Sequence, residues 1–217
     1  MIKAVIFDMD GTVCDTISSI AYFGNNALNK YGLPSIPRDR YKILVGNGAK
    51  VLVERMIAET GGRDDLFDAV YEEYSETYNN DFLYLTEPYE GVLDMLDSLN
   101  KAGIRCTILS NKPDETAKKV SDSLFGDSIE ICYGGRSGKP LKPDPQVVLE
   151  MLDEMGISKD ECLYVGDTAT DMKTGKSAGL FTIGVLWGFR DREELEGASA
   201  DLIVSHPSEI VKAAASR

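Results

Sequence analysis

A run of four apolar residues, Ala4-Val5-Ile6-Phe7, that stops abruptly at Asp8-Met9-Asp10-Gly11-Thr12 constrains this chain more than any other stretch. A short, continuous apolar run is what a strand buried on both faces of a parallel sheet requires. In an open α/β sheet, ligands bind beyond the carboxyl ends of the strands, so the two aspartates stand where chemistry is done. Side chains alternate along extended backbone, which places Asp8 and Asp10 on one side and Met9 on the other. Two close carboxylates repel unless a cation or a shared proton offsets them. A divalent metal with oxygen ligands answers that need, and Gly11 leaves room for backbone amides to approach an anion. Asp, Gly and Thr are also ordinary turn formers, so this stretch alone leaves both readings open.

The remaining chain has two textures. Residues 16 to about 31 carry Ile17, Ile20, Leu28 and Tyr31 at helical spacing, and Gly32-Leu33-Pro34 stops that helix. Pro37 suits the first turn of a second helix. A third is expected after Gly46-Asn47-Gly48, with Val51, Leu52 and Met56 inward, and a fourth over 64–80. The fourth presents Phe67, Val70, Tyr71, Tyr74 and Tyr78 on one face, a stripe read as core packing rather than a stacking platform. From Tyr89 onward strands and helices alternate. Helices are expected over 91–102, after Pro113 and over 146–155, and strands over 105–109, 129–133, 162–165, 181–186 and 201–204. That alternation predicts an α/β fold with a doubly wound parallel sheet. The block before Tyr89 reads as a small helical bundle inserted after the first strand.

Composition removes several alternatives. The net charge of −13 argues against a nucleic-acid or anionic-membrane surface, although a few local lysines and a metal could still hold an anionic substrate. The single histidine, His206, leaves no material for a Ser-His-Asp triad or a multi-histidine metal site. Cys14, Cys106, Cys132 and Cys162 lie in or beside apolar runs without a C-x-x-C pair, and read as buried thiols of a reducing compartment. No charged-then-apolar leader and no apolar run of spanning length is visible, so a cytoplasmic protein is expected.

If the strands are parallel, their carboxyl ends collect Asp8 and Asp10, then Ser110 and Asn111, then Asp167 and Asp171, along one edge. Lys142, in the rigid Lys142-Pro143-Asp144-Pro145 segment at the start of the next helix, could join them. Each group has a plain alternative: Ser110-Asn111 and Gly166-Asp167-Thr168 could cap helices, and Lys142 could be a solvated lysine. Together they supply carboxylates for a hard metal, a hydroxyl and amides for an oxyanion, and one ammonium. The joint reading is a metal-dependent phosphoryl site.

These motifs, in this order, resemble those of the haloacid dehalogenase superfamily of phosphotransferases; the similarity spans the chain and implies a core from 1–15 and 85–217 with a helical cap over 16–84 inserted after the first strand. Residues 46–55 and Gly184-Val185-Leu186-Trp187-Gly188 look most like the phosphoglycolate phosphatases of that superfamily. The resemblance implies Asp8 as nucleophile, forming an aspartyl-phosphate, and Asp10 as general acid and then base. It implies Mg²⁺ held by Asp8, the Asp10 carbonyl and Asp167, with Asp171 in support. Ser110, the Asn111 amide and Lys142 would hold the phosphoryl oxygens. In the cap, Asn47, Gly48 and Lys50 are candidate contacts to a small anionic leaving group, with a solvated Lys50 as the alternative.

The presence of Asp10 argues against dehalogenation. The β-phosphoglucomutases carry a cap histidine and arginine where this chain has Ile20 and Ala49, which weakens a mutase reading. The rivals are an inorganic pyrophosphatase or nucleotide phosphatase on the same scaffold, and a non-catalytic binding module. A small phosphorylated metabolite is the expected partner, with no nucleic acid or membrane, in a monomer or homodimer.

Overall fold

A computed structural model describes all residues, 1–217. Six parallel strands build the main sheet: β1 (Ala4–Phe7), β4 (Arg105–Pro113), β5 (Ile131–Gly135), β6 (Cys162–Gly166), β7 (Phe181–Val185) and β8 (Leu202–Val204). Their spatial order is β5-β4-β1-β6-β7-β8. The first strand of the chain is therefore central, with Ala4 opposite both Arg105 of β4 and Cys162 of β6. Its sequence explains that placement, since all four residues are buried and none needs a solvated face. Val5 and Phe7 pack into one apolar layer with Leu96, Val120 and Ile210, from helices α5 (Val92–Lys101), α6 (Asp114–Phe125) and α10 (Ser208–Ala215). Ala4 and Ile6 point the other way, against Val148 and Met151 of α7 (Gln146–Met155) and Ala178 of α8 (Ala169–Ala178). One short helix, α9 (Arg192–Gly197), follows β7.

The inserted block consists of α1 (Ile17–Lys30), α2 (Arg38–Leu44), α3 (Ala49–Glu59) and α4 (Phe67–Asn80), the last preceded by a 3₁₀ turn over Asp64–Leu66. It has its own apolar cluster, in which Ile17, Phe23, Leu28, Tyr41, Met56, Val70, Tyr74 and Tyr78 are buried. The aromatic stripe of α4 thus packs as core. Where the chain leaves and re-enters the sheet, β2 (Cys14–Asp15) pairs antiparallel with β3 (Glu87–Pro88), a two-stranded ribbon that the sequence did not announce. The strands and helices expected from sequence are present with end shifts of a few residues, the largest in β4, which continues to Pro113.

All four cysteines are free thiols; Cys14, Cys106 and Cys162 are buried and Cys132 is half-buried. No helix is long and apolar enough to cross a membrane.

Candidate active site

The carboxyl ends of β1, β4 and β6 open into one cavity of about 70 Å³, roofed by the helical block. Its lining includes Asp8, Asp10, Ser110, Asn111, Lys112, Lys142 and Thr168 from the sheet side, and Ile20, Gly48, Leu52, Tyr74 and Tyr78 from the helices. Backbone hydrogen bonding sets the turn after β1: the N–H groups of Thr12, Val13 and Cys14 all donate to the Met9 carbonyl. Gly11, at φ +88°, permits that reversal, and its missing side chain leaves space that the Asp167 carboxylate fills.

Asp8, Asp167 and Asp171 bring one carboxylate oxygen each to within 4.8 Å of one another, and all three are buried. Lys142 Nζ lies 2.8 Å from Asp8 Oδ1 and 2.7 Å from Asp171 Oδ1. Burial alone would depress the Lys142 ammonium, but Asp171 and Asp8 more than offset it and hold its pKa well above the usual value. Burial and the Asp171 charge push Asp8 well above the carboxylate range, with Lys142 opposing them. Burial, then Asp171, pushes Asp167 up to about 7. One lysine therefore does not balance three carboxylates, and the donor set fits a hard divalent cation.

The individual oxygens have distinct duties. Asp8 Oδ1 accepts the Met9 N–H at 2.6 Å and faces Lys142, while Oδ2 takes no hydrogen bond. Asp167 accepts from Thr12 Oγ1 and, at 2.8 Å, from the Phe189 N–H. Asp171 is more committed: Oδ1 takes Lys142, and Oδ2 takes both the N–H and hydroxyl of Thr168. Thr168 in turn caps α8, so Gly166-Asp167-Thr168 is a helix cap and a site element at once.

Ser110 and Asn111 are not helix caps; they lie within β4, both buried. The Asn111 side chain receives the Lys142 N–H at 2.9 Å and donates to the carbonyls of Lys142 and Gly46, each at 3.1 Å. It fixes the lysine's segment and reaches the helical block. Of the three cap positions, Gly48 lines the cavity, with the Asn111 carbonyl 3.3 Å from where a Cβ would sit. Asn47 instead accepts Arg55 Nη2 at 2.9 Å, Lys50 is exposed, and neither lines the cavity.

Sequence reasoning passed over two groups. Lys112 Nζ donates to both oxygens of Asp10, at 3.0 and 3.1 Å, and lies 4.6 Å from the Tyr78 ring centre. A signal was available, because Ser110 and Lys112 are two apart on one strand end, as Asp8 and Asp10 are. The second is the packing role of the loop after β7, whose Trp187 and Gly188 the sequence marked only as part of a resemblance. Trp187 Nε1 donates to the Thr12 carbonyl at 2.9 Å, and Phe189 inserts into the helical block's apolar cluster. Arg190 donates to the carbonyls of Lys42 and Val45.

Residues 5–185 match the family model for haloacid dehalogenase-like hydrolases. The chain belongs to that family. A phosphoglycolate phosphatase of Aquifex aeolicus is 31% identical, over 97% of this chain and 95% of its own length. An N-acetylmuramic acid 6-phosphate phosphatase of Pseudomonas aeruginosa is 28% identical, over 97% and 93%. A solved structure from Lactobacillus delbrueckii, a candidate phosphoglycolate phosphatase, superposes with a TM-score of 0.93 at 28% identity, covering 98% of each chain. Within the haloacid dehalogenase-like hydrolases, this chain is a phosphatase of the phosphoglycolate phosphatase-like type.

Proposed function

We propose that this phosphatase hydrolyses phosphomonoesters through an aspartyl-phosphate on Asp8, with Mg²⁺ as cofactor and 2-phosphoglycolate as substrate. The observation that carries the mechanism is the uncommitted Asp8 Oδ2 at the end of the central strand, beside a buried ammonium. A carboxylate oxygen with no hydrogen bond is free to attack phosphorus, while Lys142 offsets charge on the transferring group. Asp8, Asp167 and the Asp10 carbonyl would hold the metal, whose chemistry when bound is to neutralise phosphoryl charge. Asp171, with both oxygens taken, would support the site chiefly by orienting Lys142.

Attack by Asp8 breaks the ester P–O bond, and the leaving alkoxide takes a proton from Asp10. Asp10, now a carboxylate, removes a proton from the water that attacks phosphorus and frees Asp8. Ser110, 3% exposed and at the same strand end, would hold a phosphoryl oxygen with the Asn111 amide. Residues 16–84 would act as the cap that selects the leaving group, because the sheet side meets chiefly the phosphoryl group. The Aquifex relative supports glycolate as the leaving group.

Purified protein assayed against 2-phosphoglycolate, pyrophosphate, nucleoside monophosphates and sugar phosphates tests the assignment, with 2-phosphoglycolate expected to have the highest kcat/KM. A tenfold preference for pyrophosphate, about 1.4 kcal/mol in transition-state binding, would transfer the assignment to that substrate. Asp8→Asn should reduce turnover to background and leave no phosphate trapped on the protein.

A further inference from the structure

Arg190, its side chain 15% exposed, reaches from the loop after β7 to the helical block without lining the cavity. Nη1 donates to the Lys42 carbonyl and Nη2 to the Val45 carbonyl, the latter at 3.4 Å. These are carbonyls that the last turn of α2 leaves without an intrahelical donor. The guanidinium is braced from the sheet side. Its Nε lies 3.0 Å from Glu194 Oε2, and Glu194 Oε1 accepts the Ala169 N–H at 2.9 Å, at the start of α8. The preceding residue is fixed as well, since the Phe189 N–H donates to Asp167 and the Phe189 ring sits in the helical block's apolar cluster. The segment that Arg190 holds supplies Val45, Gly46 and Gly48 to the roof of the cavity.

We infer that Arg190 is a positioning residue that holds the cap closed, acting through the segment 45–48 that it docks over the site. The inference rests on residues 16–84 being the cap that selects the leaving group, as proposed above. A planar guanidinium suits the task, because its donors point in fixed directions and meet two carbonyls and a carboxylate at once. Hydrogen bonds from a charged donor strengthen when shielded from solvent, so the contact favours the closed arrangement. Substrate enters and product leaves past the cap, so the contact is made and broken in every cycle. Its strength then sets the closed fraction, and the apparent affinity for a substrate that needs the closed cap scales with that fraction. Phe189 ties the same loop to Asp167, so closure and the seating of that carboxylate share one anchor.

Hydrogen exchange of the whole protein, read by mass spectrometry, and steady-state kinetics test this in Arg190→Met. The amides of 42–48 and 187–190, the two faces of the contact, should exchange about tenfold faster than in wild type. Those of 20–28 inside the helical block and 105–109 in β4 should keep wild-type rates. KM for 2-phosphoglycolate should rise about tenfold, with kcat within about threefold of wild type. With para-nitrophenyl phosphate, whose reactivity comes from its own leaving group, KM should change less than about threefold. Arg40→Met, which breaks an ion pair with Glu59 inside the helical block, should match wild type in both measurements. If Arg190→Met does not fold, Arg190→Lys replaces it, keeping the charge without the fork and showing the same pattern at smaller amplitude. Wild-type exchange at both faces would overturn the inference. Faster exchange throughout the helical block, with wild-type KM on both substrates, would reduce Arg190 to a stability residue and also overturn it. Faster exchange confined to the two faces, with equal KM increases on both substrates, would leave the inference standing and sink the reading of the cap as selector of the leaving group.

Discussion

The space beside Asp167 has almost no slack, and Gly188→Ala measures how much of the activity depends on it. A Cβ on Gly188 would sit 2.3 Å from the Gly11 carbonyl oxygen, 2.4 Å from Asp167 Cβ and 2.6 Å from Asp167 Oδ2. Gly188 is not in the left-handed region, so the substitution adds no backbone strain and tests crowding alone. Restoring even a tight 3.0 Å contact to the carbonyl requires about 0.7 Å of movement, and well-packed neighbours transmit it. Neither side yields easily: Gly11 is tied by its N–H to the Cys14 carbonyl, and the flanking Trp187 and Phe189 are tied to Thr12 and Asp167. Overpacking of this kind costs about 1–3 kcal/mol of stability. Displacing a catalytic group by near 1 Å costs about 10²-fold in rate, or about 2.7 kcal/mol.

The assay is steady-state turnover of 2-phosphoglycolate across a Mg²⁺ titration, with thermal melting in parallel. Gly188→Ala should need more Mg²⁺ and reach a kcat about 10²-fold lower. Gly197→Ala, where an added Cβ meets nothing, serves as control and should match wild type. A Gly188→Ala protein with wild-type kcat and Mg²⁺ dependence would refute the claim that this packing sets the Asp167 position.

Asp10→Asn should cost about 10²–10⁴-fold on 2-phosphoglycolate, but less in the first step with para-nitrophenyl phosphate, whose leaving group needs little protonation. With that substrate rapid quench should show a burst and trapped phosphoenzyme; equal defects without a burst would remove Asp10 as the acid–base group. EDTA should abolish turnover and Mg²⁺ restore it, whereas full activity after exhaustive chelation would exclude the metal. The raised pKa of Asp167 also fixes the sign of a stability effect. The folded, metal-free protein keeps a proton on Asp167 up to about pH 7, while the unfolded chain loses it near the ordinary carboxylate value. The folded state therefore binds more protons across that interval, and stability falls as pH rises through it. Metal-free protein should melt higher at pH 5.5 than at 7.5, and added Mg²⁺ should raise the melting temperature more at 7.5; the reverse order would contradict the reading.

The sequence made the sheet legible because its signals are local. A four-residue apolar run cannot be solvated on either face, and β1 is buried on both. The strand ends were legible for the same reason, since aspartates directly after such runs stand out. Groups whose roles depend on distant partners were hidden. Nothing near Cys14-Asp15 indicates that it pairs with Glu87-Pro88, and Lys112 reads like any surface lysine until Asp10 is beside it. Lys50 shows the converse, because a cation next to a glycine turn looks like a ligand group, yet it lies in solvent. The Asn111 side chain was also opaque, because its partners at Gly46 and Lys142 come from separate parts of the chain.

The central position of β1 has a consequence for the order in which the molecule is made. The ribosome produces this strand before both of its neighbours, β4, whose register begins at Arg105, and β6, whose register begins at Cys162. At about 5–20 residues per second, the second neighbour emerges on the order of ten to thirty seconds later. During that interval the most apolar segment of the nascent chain has at least one bare edge, the kind that recruits other chains. The helical block, complete by Asn80 and with its own core, can fold meanwhile. Chains cut short between β4 and β6 should be the aggregation-prone species, whereas the finished protein encloses the same strand on every side.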